Sequence, residues 1–341
     1  MSRRKILIIY TGGTIGMIKN PITDDLSNVD FKLIMEHVPE INRLNVDVDS
    51  ISFDDPIDSS EIKISDWIDL AKIIEDNYSS YDGFVVLHGT DTMAYSASAL
   101  SFMFSGLKKP VIFTGSQLPI GVVRTDGKDN LLSAIEVASS VKSDGTPMIQ
   151  EVVVYFDTAI FRGNRSTKVS ASLFEAFKSP NYPRLGQATV EIEYQQDRFY
   201  KSEDVSFSVN YDLNNRIVLV KLFPGIKIDL YRDIFSKKNV DGIVLESFGS
   251  GNTPSIPLLE ELIAKFIADG GVVVNITQCS TGKVVHGLYE TSSIFAKLGV
   301  VSGHDLTTES AITKLMVNLV DGNPEETKRK MSENLRGELS I

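Results

Sequence analysis

The chain has a single cysteine, Cys279, in 341 residues, so no intrachain disulfide can brace it, which fits a reducing compartment. Positive charge is also scarce: 34 Lys and Arg stand against 45 Asp and Glu, a formal net charge of -11. That balance argues against a long cationic track for nucleic acid or anionic lipid. The basic run KRK at 328–330 reads as a solvated helix face. No apolar run of 18 residues occurs, so no membrane span is expected. The start, MSRRKILIIYTGGTIG, has an apolar stretch only from Ile6 to Tyr10, too short for the core of a secretion signal. The four histidines, His37, His88, His286 and His304, form no HExxH or other close pair, so neither a metal nor a cofactor is expected. A GxSxG nucleophile elbow is missing too, and Cys279, after an apolar strand, reads as a buried thiol at a turn.

What is present is an alternation of apolar strands and amphipathic helices. KILIIY, VDVDSISF (46–53), FVVLHGTDT (84–92), PVIFTGS (110–116) and EVVVYF (151–156) read as strands or strand ends. Helical spacing runs through 65–77, with Ser65 as a possible cap, and through 129–141. This pattern predicts an α/β fold with a mostly parallel sheet covered on both faces. Strand-like QATVEIEY (187–194) precedes a polar stretch without an apolar period. A second series follows, with strands at 217–223, 242–248 and 271–277 and helices at 256–268 and 308–320. The expected division is therefore 1–195 as a large catalytic domain, 196–215 as a linker and 216–341 as a smaller C-terminal α/β domain.

Three segments carry the chemistry. TGGTIG (11–16) follows the first strand, where a doubly wound sheet opens its ligand crevice, and presents Thr14 there. It matches neither GxGxxG nor a phosphate loop, and a plain strand-to-helix turn explains it as well. HGTDT (88–92) places Thr90 beside Asp91 at another strand end, although either residue can also serve as a helix cap. FRGNRSTK (161–168) holds three cations, of which Lys168 can point inward while Arg162 and Arg165 stay solvated. A threonine hydroxyl attacks only when a neighbour takes its proton, and an amine oriented by a carboxylate is such a neighbour. An ordinary ion pair is the competing use of Lys168. Taken together, Lys168, Asp91 and Thr90 read as a nucleophilic relay. Asp91 suits a substrate ammonium, and Ser59 and Ser60 in DSSE (58–61) suit a carboxylate. Backbone amides beside Gly13 or Thr90 are candidate oxyanion donors.

At these residues the chain resembles bacterial asparaginases, above all the cytoplasmic type I branch. TGGTIG (11–16), HGTDTMAYS (88–96), TGSQLP (114–119) and RGNRSTK (162–168) occur in the family's order, and the likeness runs on through FKSPNYPRLG (177–186), FPGI (223–226) and TQCSTGKV (277–284). The resemblance implies a large N-terminal and a smaller C-terminal α/β domain, a cytoplasmic homodimer or homotetramer, and L-asparagine as substrate. It implies an acyl-enzyme route with Thr14 as the attacking group and Thr90, Asp91 and Lys168 as the second cluster. Asp58, Ser59 and Ser60 match the substrate-binding loop.

Two departures from the family pattern stand out. The family commonly carries a tyrosine on the loop after the first glycine motif, and here MIKNPITDDLSNVDF (17–31) has none. Some type I members also bind asparagine at a second site, matching Thr167 and Thr277, Gln278 and Cys279, and an arginine of that site is Glu246 here. A carboxylate there repels the effector's own, which argues against allosteric activation. Glutamine differs from asparagine by one methylene, so mixed activity stays open. A glutaminyl-tRNA deamidating subunit shares the catalytic arrangement, but is expected to have an additional N-terminal domain. A non-catalytic amino-acid-binding α/β protein is the reading from a different class.

Overall fold

Strand β1, Arg4–Gly12, is buried from Ile6 onward, whereas its neighbour β2, Val46–Ile57, alternates and lies at a sheet edge. β3 (Gly83–Leu87), β4 (Val111–Thr114) and β5 (Val152–Phe156) are buried at every position, as strands covered on both faces must be. These five run parallel in the order β2-β1-β3-β4-β5. The chain leaves β1 for one neighbour and returns to the other, so the crevice opens at the carboxyl ends of β1 and β3. β6 (Ala159–Arg162), β7 (Gly186–Ala188) and β8 (Ile192–Tyr194) extend the sheet antiparallel. The expected single strand over 187–194 is thus a hairpin, turning at Thr189–Glu191 with Val190 fully exposed. β6 has no counterpart among the expected strands. It is joined to β5 by a two-residue turn, Asp157 and Thr158, both at positive φ, the geometry a tight hairpin demands.

The described residues are 3–19, 26–28, 37–203, 206–285, 290–319 and 323–340. They form two compact units, Met1–Ser179 with Pro183–Asn210, and Pro180–Tyr182 with Tyr211–Ile341, in what is a computed structural model. The stretch expected as a linker is divided between them. Residues up to 210 are held by the first unit: Phe207 stacks on Tyr78, Ser208–Val209 pair with Phe104–Ser105, and Asn210 N–H donates to the Met103 carbonyl. Asn214 is held by the second unit, through Met316 and Asp241.

Helix α1, Ile64–Asn77, starts one residue before the candidate cap Ser65. Its start is fixed by the Asp66 carboxylate, which accepts from Lys63 N–H at 2.6 Å, and Ser65 lies inside the helix. Helix α2, Met93–Met103, is buried at every position except Tyr95, and α3 spans Gly127–Ser139.

In the second unit β9 (Ile217–Lys221), β10 (Gly242–Ser247), β11 (Val272–Thr277) and β12 (Val301–Ser302) form a parallel sheet in chain order. Alternate residues feed two cores: Ile243 and Leu245 pack with Phe235, Ile263, Phe266 and Phe295, while Val244 packs with Val274, Leu315 and Met331. Helices α4 (Pro257–Ala268) and α5 (Glu290–Leu298) serve the first core, α6 (Thr308–Asn318) and α7 (Pro324–Ser332) the second. The KRK run lies on α7, where Lys328, Arg329 and Lys330 each pair with a glutamate three or four residues away, as expected of a solvated face.

Candidate active site

Glycine contacts bring the first two motifs together. Gly13 stands at φ 90°, and a β-carbon there would lie 2.5 Å from the Gly89 backbone. One on Gly89 would lie 2.5 Å from the Ser59 hydroxyl oxygen. The turns carrying Thr14 and Thr90 therefore meet main chain to main chain, and the Ser59 side chain packs against the second of them. Gly13→Ala should cost more than about 1 kcal/mol, from positive φ and overlap together, and should lower kcat by moving Thr14 from Thr90. Thermal melts and steady-state rates check it; unchanged values for both would show that the turns tolerate separation.

Lys168 arrives by a different route. The tight β5–β6 turn sends the chain back to Gly163–Arg165, which docks on the small residues of α2: a β-carbon on Gly163 would lie 3.2 Å from Ala97, and Asn164 Nδ2 donates to Ser101 Oγ at 2.8 Å. Thr167–Lys168 then pair with Phe177–Lys178. The Lys168 ammonium donates to Thr90 Oγ1 at 2.8 Å and to Asp91 Oδ1 at 2.6 Å, so the three side chains expected to act together are in contact. Thr90 is 8% exposed, Lys168 half-buried and Asp91 exposed, giving a relay that faces solvent on its carboxylate side. Neither Thr90 nor Asp91 caps α2; the N-cap is Thr92, whose hydroxyl donates to the Ser59 carbonyl at 2.7 Å. Arg162 and Arg165 are not solvated as expected: they are 3% and 1% exposed. Arg162 Nε meets Glu151 Oε2 at 2.6 Å, and this buried pairing is what lets a guanidinium leave water.

Two residues outside the expected set complete the surroundings. Gln117, in the turn after β4, accepts a long 3.5 Å contact from Thr90 Oγ1 and donates from Nε2 to the Leu173 carbonyl at 2.9 Å. Its N–H is held by Asp126 at 2.9 Å. The signal for it was the third strand-end motif, TGSQLP, at the same crevice. His88 is 1% exposed, and burial pushes its imidazole down to about 4, so it is neutral. Nδ1 contacts the Gly89 carbonyl at 2.7 Å and must donate, because a carbonyl only accepts. Nε2 then accepts from Ser96 Oγ at 2.9 Å, whose oxygen takes the Trp67 Nε1–H at 2.8 Å. This chain of hydrogen bonds fixes the turn just before Thr90.

The shift of His88 has a consequence for stability. Unfolded, the imidazole takes its proton near pH 6.5; folded, not until about pH 4. Between those values the unfolded state binds the extra proton, so the contribution is complete above pH 6.5 and is lost as pH falls toward 4, by up to about 3 kcal/mol. Denaturant titrations across that window should show a flatter slope for His88→Gln than for the unmodified chain; equal slopes would remove His88 as the source.

In the substrate loop Asp58 Oδ1 accepts from both the N–H and the hydroxyl of Ser60 at 2.9 Å, while Ser59 is buried against Gly89. Of the second-site candidates, Thr167 belongs to the first unit and the others to the second. Glu246 Oε1 accepts from Thr308 Oγ1 at 2.6 Å and Oε2 lies 3.1 Å from Lys221 Nζ, so its carboxylate is already neutralised. Gln278 donates to the Leu222 and Glu246 carbonyls, and Thr277 to Gly249. Cys279 is exposed, not buried as expected: its N–H bonds back to Thr277 Oγ1 at 3.0 Å, and this turn carries the thiol out beyond the strand end. No cluster of three metal-ligating side chains occurs among the described residues. Most of loop 17–31, and His286, lie outside them; Met17–Lys19 pairs antiparallel with Leu26–Asn28.

A hydroxyl, an ammonium and a carboxylate gathered at the switch point of a doubly wound sheet are the groups that an α/β hydrolase with a hydroxyl nucleophile requires. The chain belongs to the asparaginase family: residues 5–200 match the family described as Asparaginase, N-terminal, and 216–331 the Glutaminase/Asparaginase C-terminal domain. It is 40% identical over 346 residues to L-asparaginase 1 of Escherichia coli K12, an alignment covering 100% of this chain and 99% of that protein. The crystal structure of L-asparaginase I from Vibrio cholerae matches with TM-score 0.90 at 40% identity, over 99% of this chain and 100% of that one. The thermostable L-asparaginase of Thermococcus kodakarensis matches with TM-score 0.89 at 30% identity, over 99% of both chains.

Proposed function

We propose that the protein hydrolyses the side-chain amide of L-asparagine to aspartate and ammonia through a threonine ester. The observation that carries this reading is the Lys168 ammonium set 2.8 Å from Thr90 Oγ1 and 2.6 Å from Asp91 Oδ1, beside a turn that holds Thr14. Thr14 Oγ attacks the amide carbon, the oxyanion is met by backbone N–H groups of the adjoining turns, and the hydroxyl proton passes to the amide nitrogen, so that the C–N bond breaks and ammonia departs. Water, its proton taken through Thr90 and the amine form of Lys168, then cleaves the ester. Asp91, with one oxygen on Lys168, offers the other to the substrate ammonium. Ser60 spends its hydroxyl proton on Asp58, which leaves Ser59 as the better donor to the substrate carboxylate.

The same reading includes a homo-oligomer in the cytoplasm. Leu219 on the edge strand β9, with Phe223 and Leu230 beyond it, is exposed, and these apolar side chains suit burial against a second copy. Among the described residues no helix is long and apolar enough to cross a membrane. At the second site Glu246 has both oxygens engaged and offers an effector carboxylate no donor, which supports an enzyme without activation by asparagine.

The test is ammonia release by the purified chain over concentration series of L-asparagine and L-glutamine, with aspartate and glutamate quantified. Saturable, hyperbolic turnover of asparagine is expected. A sigmoidal curve would restore effector binding despite Glu246, faster turnover of glutamine would reassign the substrate, and no turnover of either amide would leave an amino-acid-binding protein.

A further inference from the structure

The first unit holds a cavity of about 430 Å³ away from the catalytic turns. It is lined by Lys108, which precedes β4, by Lys142, which precedes β5, and by Phe199, Tyr200 and Lys201, which follow β8. It therefore opens near the amino ends of β4 and β5, whereas Thr14 and Thr90 follow the carboxyl ends of their parallel neighbours.

Its charge runs against that of the protein. In a chain of net charge -11, three lysines line one concave surface and Asp197 is the only carboxylate among its described lining residues. No acidic side chain lies within ion-pair distance of any of the three lysines among the described residues. Glu151, beside the cavity in sequence, is committed elsewhere, to Arg162 and to the Tyr200 N–H at 2.9 Å. Lys108 Nζ is steered by the Ser202 carbonyl at 3.3 Å, which accepts one of its three protons. Three ammonium groups against one lining carboxylate, with Asp144 acting on Lys142 from outside the lining, leave a surplus of positive charge that an anion in the cavity offsets. Phe199 and Tyr200 add half-buried aromatic surface to the same wall. The volume is that of a small-molecule site.

We propose that this cavity binds a small organic phosphate bearing a planar ring, with the phosphoryl oxygens on the lysine ammoniums and the ring against Phe199 and Tyr200. The probe is AMP, titrated calorimetrically into the full chain, with inorganic phosphate and adenosine as separate titrants. Saturable AMP binding is expected, weakened by added salt and tighter than that of either half. The double substitution Lys142→Gln with Lys201→Gln should weaken it by about tenfold or more, while Lys142→Arg retains it and asparagine turnover is unchanged in both. Turnover confirms that the variants are folded. Absence of saturable AMP binding, binding unaffected by loss of the two lysines, or phosphate or adenosine binding as tightly as AMP would each overturn the proposal.

Discussion

Replacing Lys168 with methionine is expected to lower kcat for asparagine by about 10²–10⁴-fold with little change in thermal stability, the range for losing a positioned general base. Methionine keeps the length and apolar stem but removes the group that touches Thr90 and Asp91. Thr90→Val should cost a similar factor, because the valine has the shape of threonine without the hydroxyl. The informative measurement is the double variant. If Lys168 acts on the reaction through Thr90, the two losses are far from additive, as for groups that work as one unit. Additive losses would mean that each residue serves the reaction separately, and a near-normal kcat for Lys168→Met would reduce the lysine to an ion pair.

The second large effect concerns the C-terminal segment. Lys314 on α6 and Glu338 are both fully buried and meet at 2.6 Å. All three ammonium protons have acceptors: Glu338 Oε1, the Met331 carbonyl at 3.1 Å and the Glu333 carbonyl at 2.6 Å. Glu338 in turn accepts from the N–H groups of Leu335 and Arg336. Lys314→Met strands that carboxylate and two carbonyls without water, and should destabilise the fold by about 3–5 kcal/mol in denaturant titration. Glu338→Gln keeps the shape but drops the charge, turns one accepting oxygen into a donor that faces a donor, and strands the buried Lys314 ammonium in its turn, so a loss of similar size is expected. A loss below about 1 kcal/mol in either variant would show that the uncompensated charge is not the source of the effect.

How much of this was legible depended on the distance over which each feature is determined. Strands β1, β3, β4 and β5 were readable because an uninterrupted apolar run, bounded by glycine in the first three, leaves little choice but a strand covered on both faces. Thr14, Thr90, Asp91 and Lys168 were readable because they stand in turns immediately after such strands or in a motif of recognisable order. β6 was hidden because the Asp157–Thr158 turn adopts positive φ without glycine or asparagine to announce it. Arg162 looked solvated because a cation in a sequence carries no sign of the buried glutamate that meets it. Cys279 looked buried because a buried apolar strand, Val272–Thr277, leads into its turn, whereas one side-chain to main-chain hydrogen bond turns it outward.

The sequence by itself determined the α/β class, the strand-end turns and the residue types that do the chemistry, since these follow from periodicity and from glycines whose missing β-carbons are local facts. Only the tertiary structure decided that Lys168 reaches Thr90, 78 positions earlier in the chain. It also decided that His88 is held neutral behind Gly89, and that three lysines from separate segments share one cavity. Those outcomes rest on which backbones can approach, on burial and on where charges find partners, none of which is encoded within a few residues of the groups concerned.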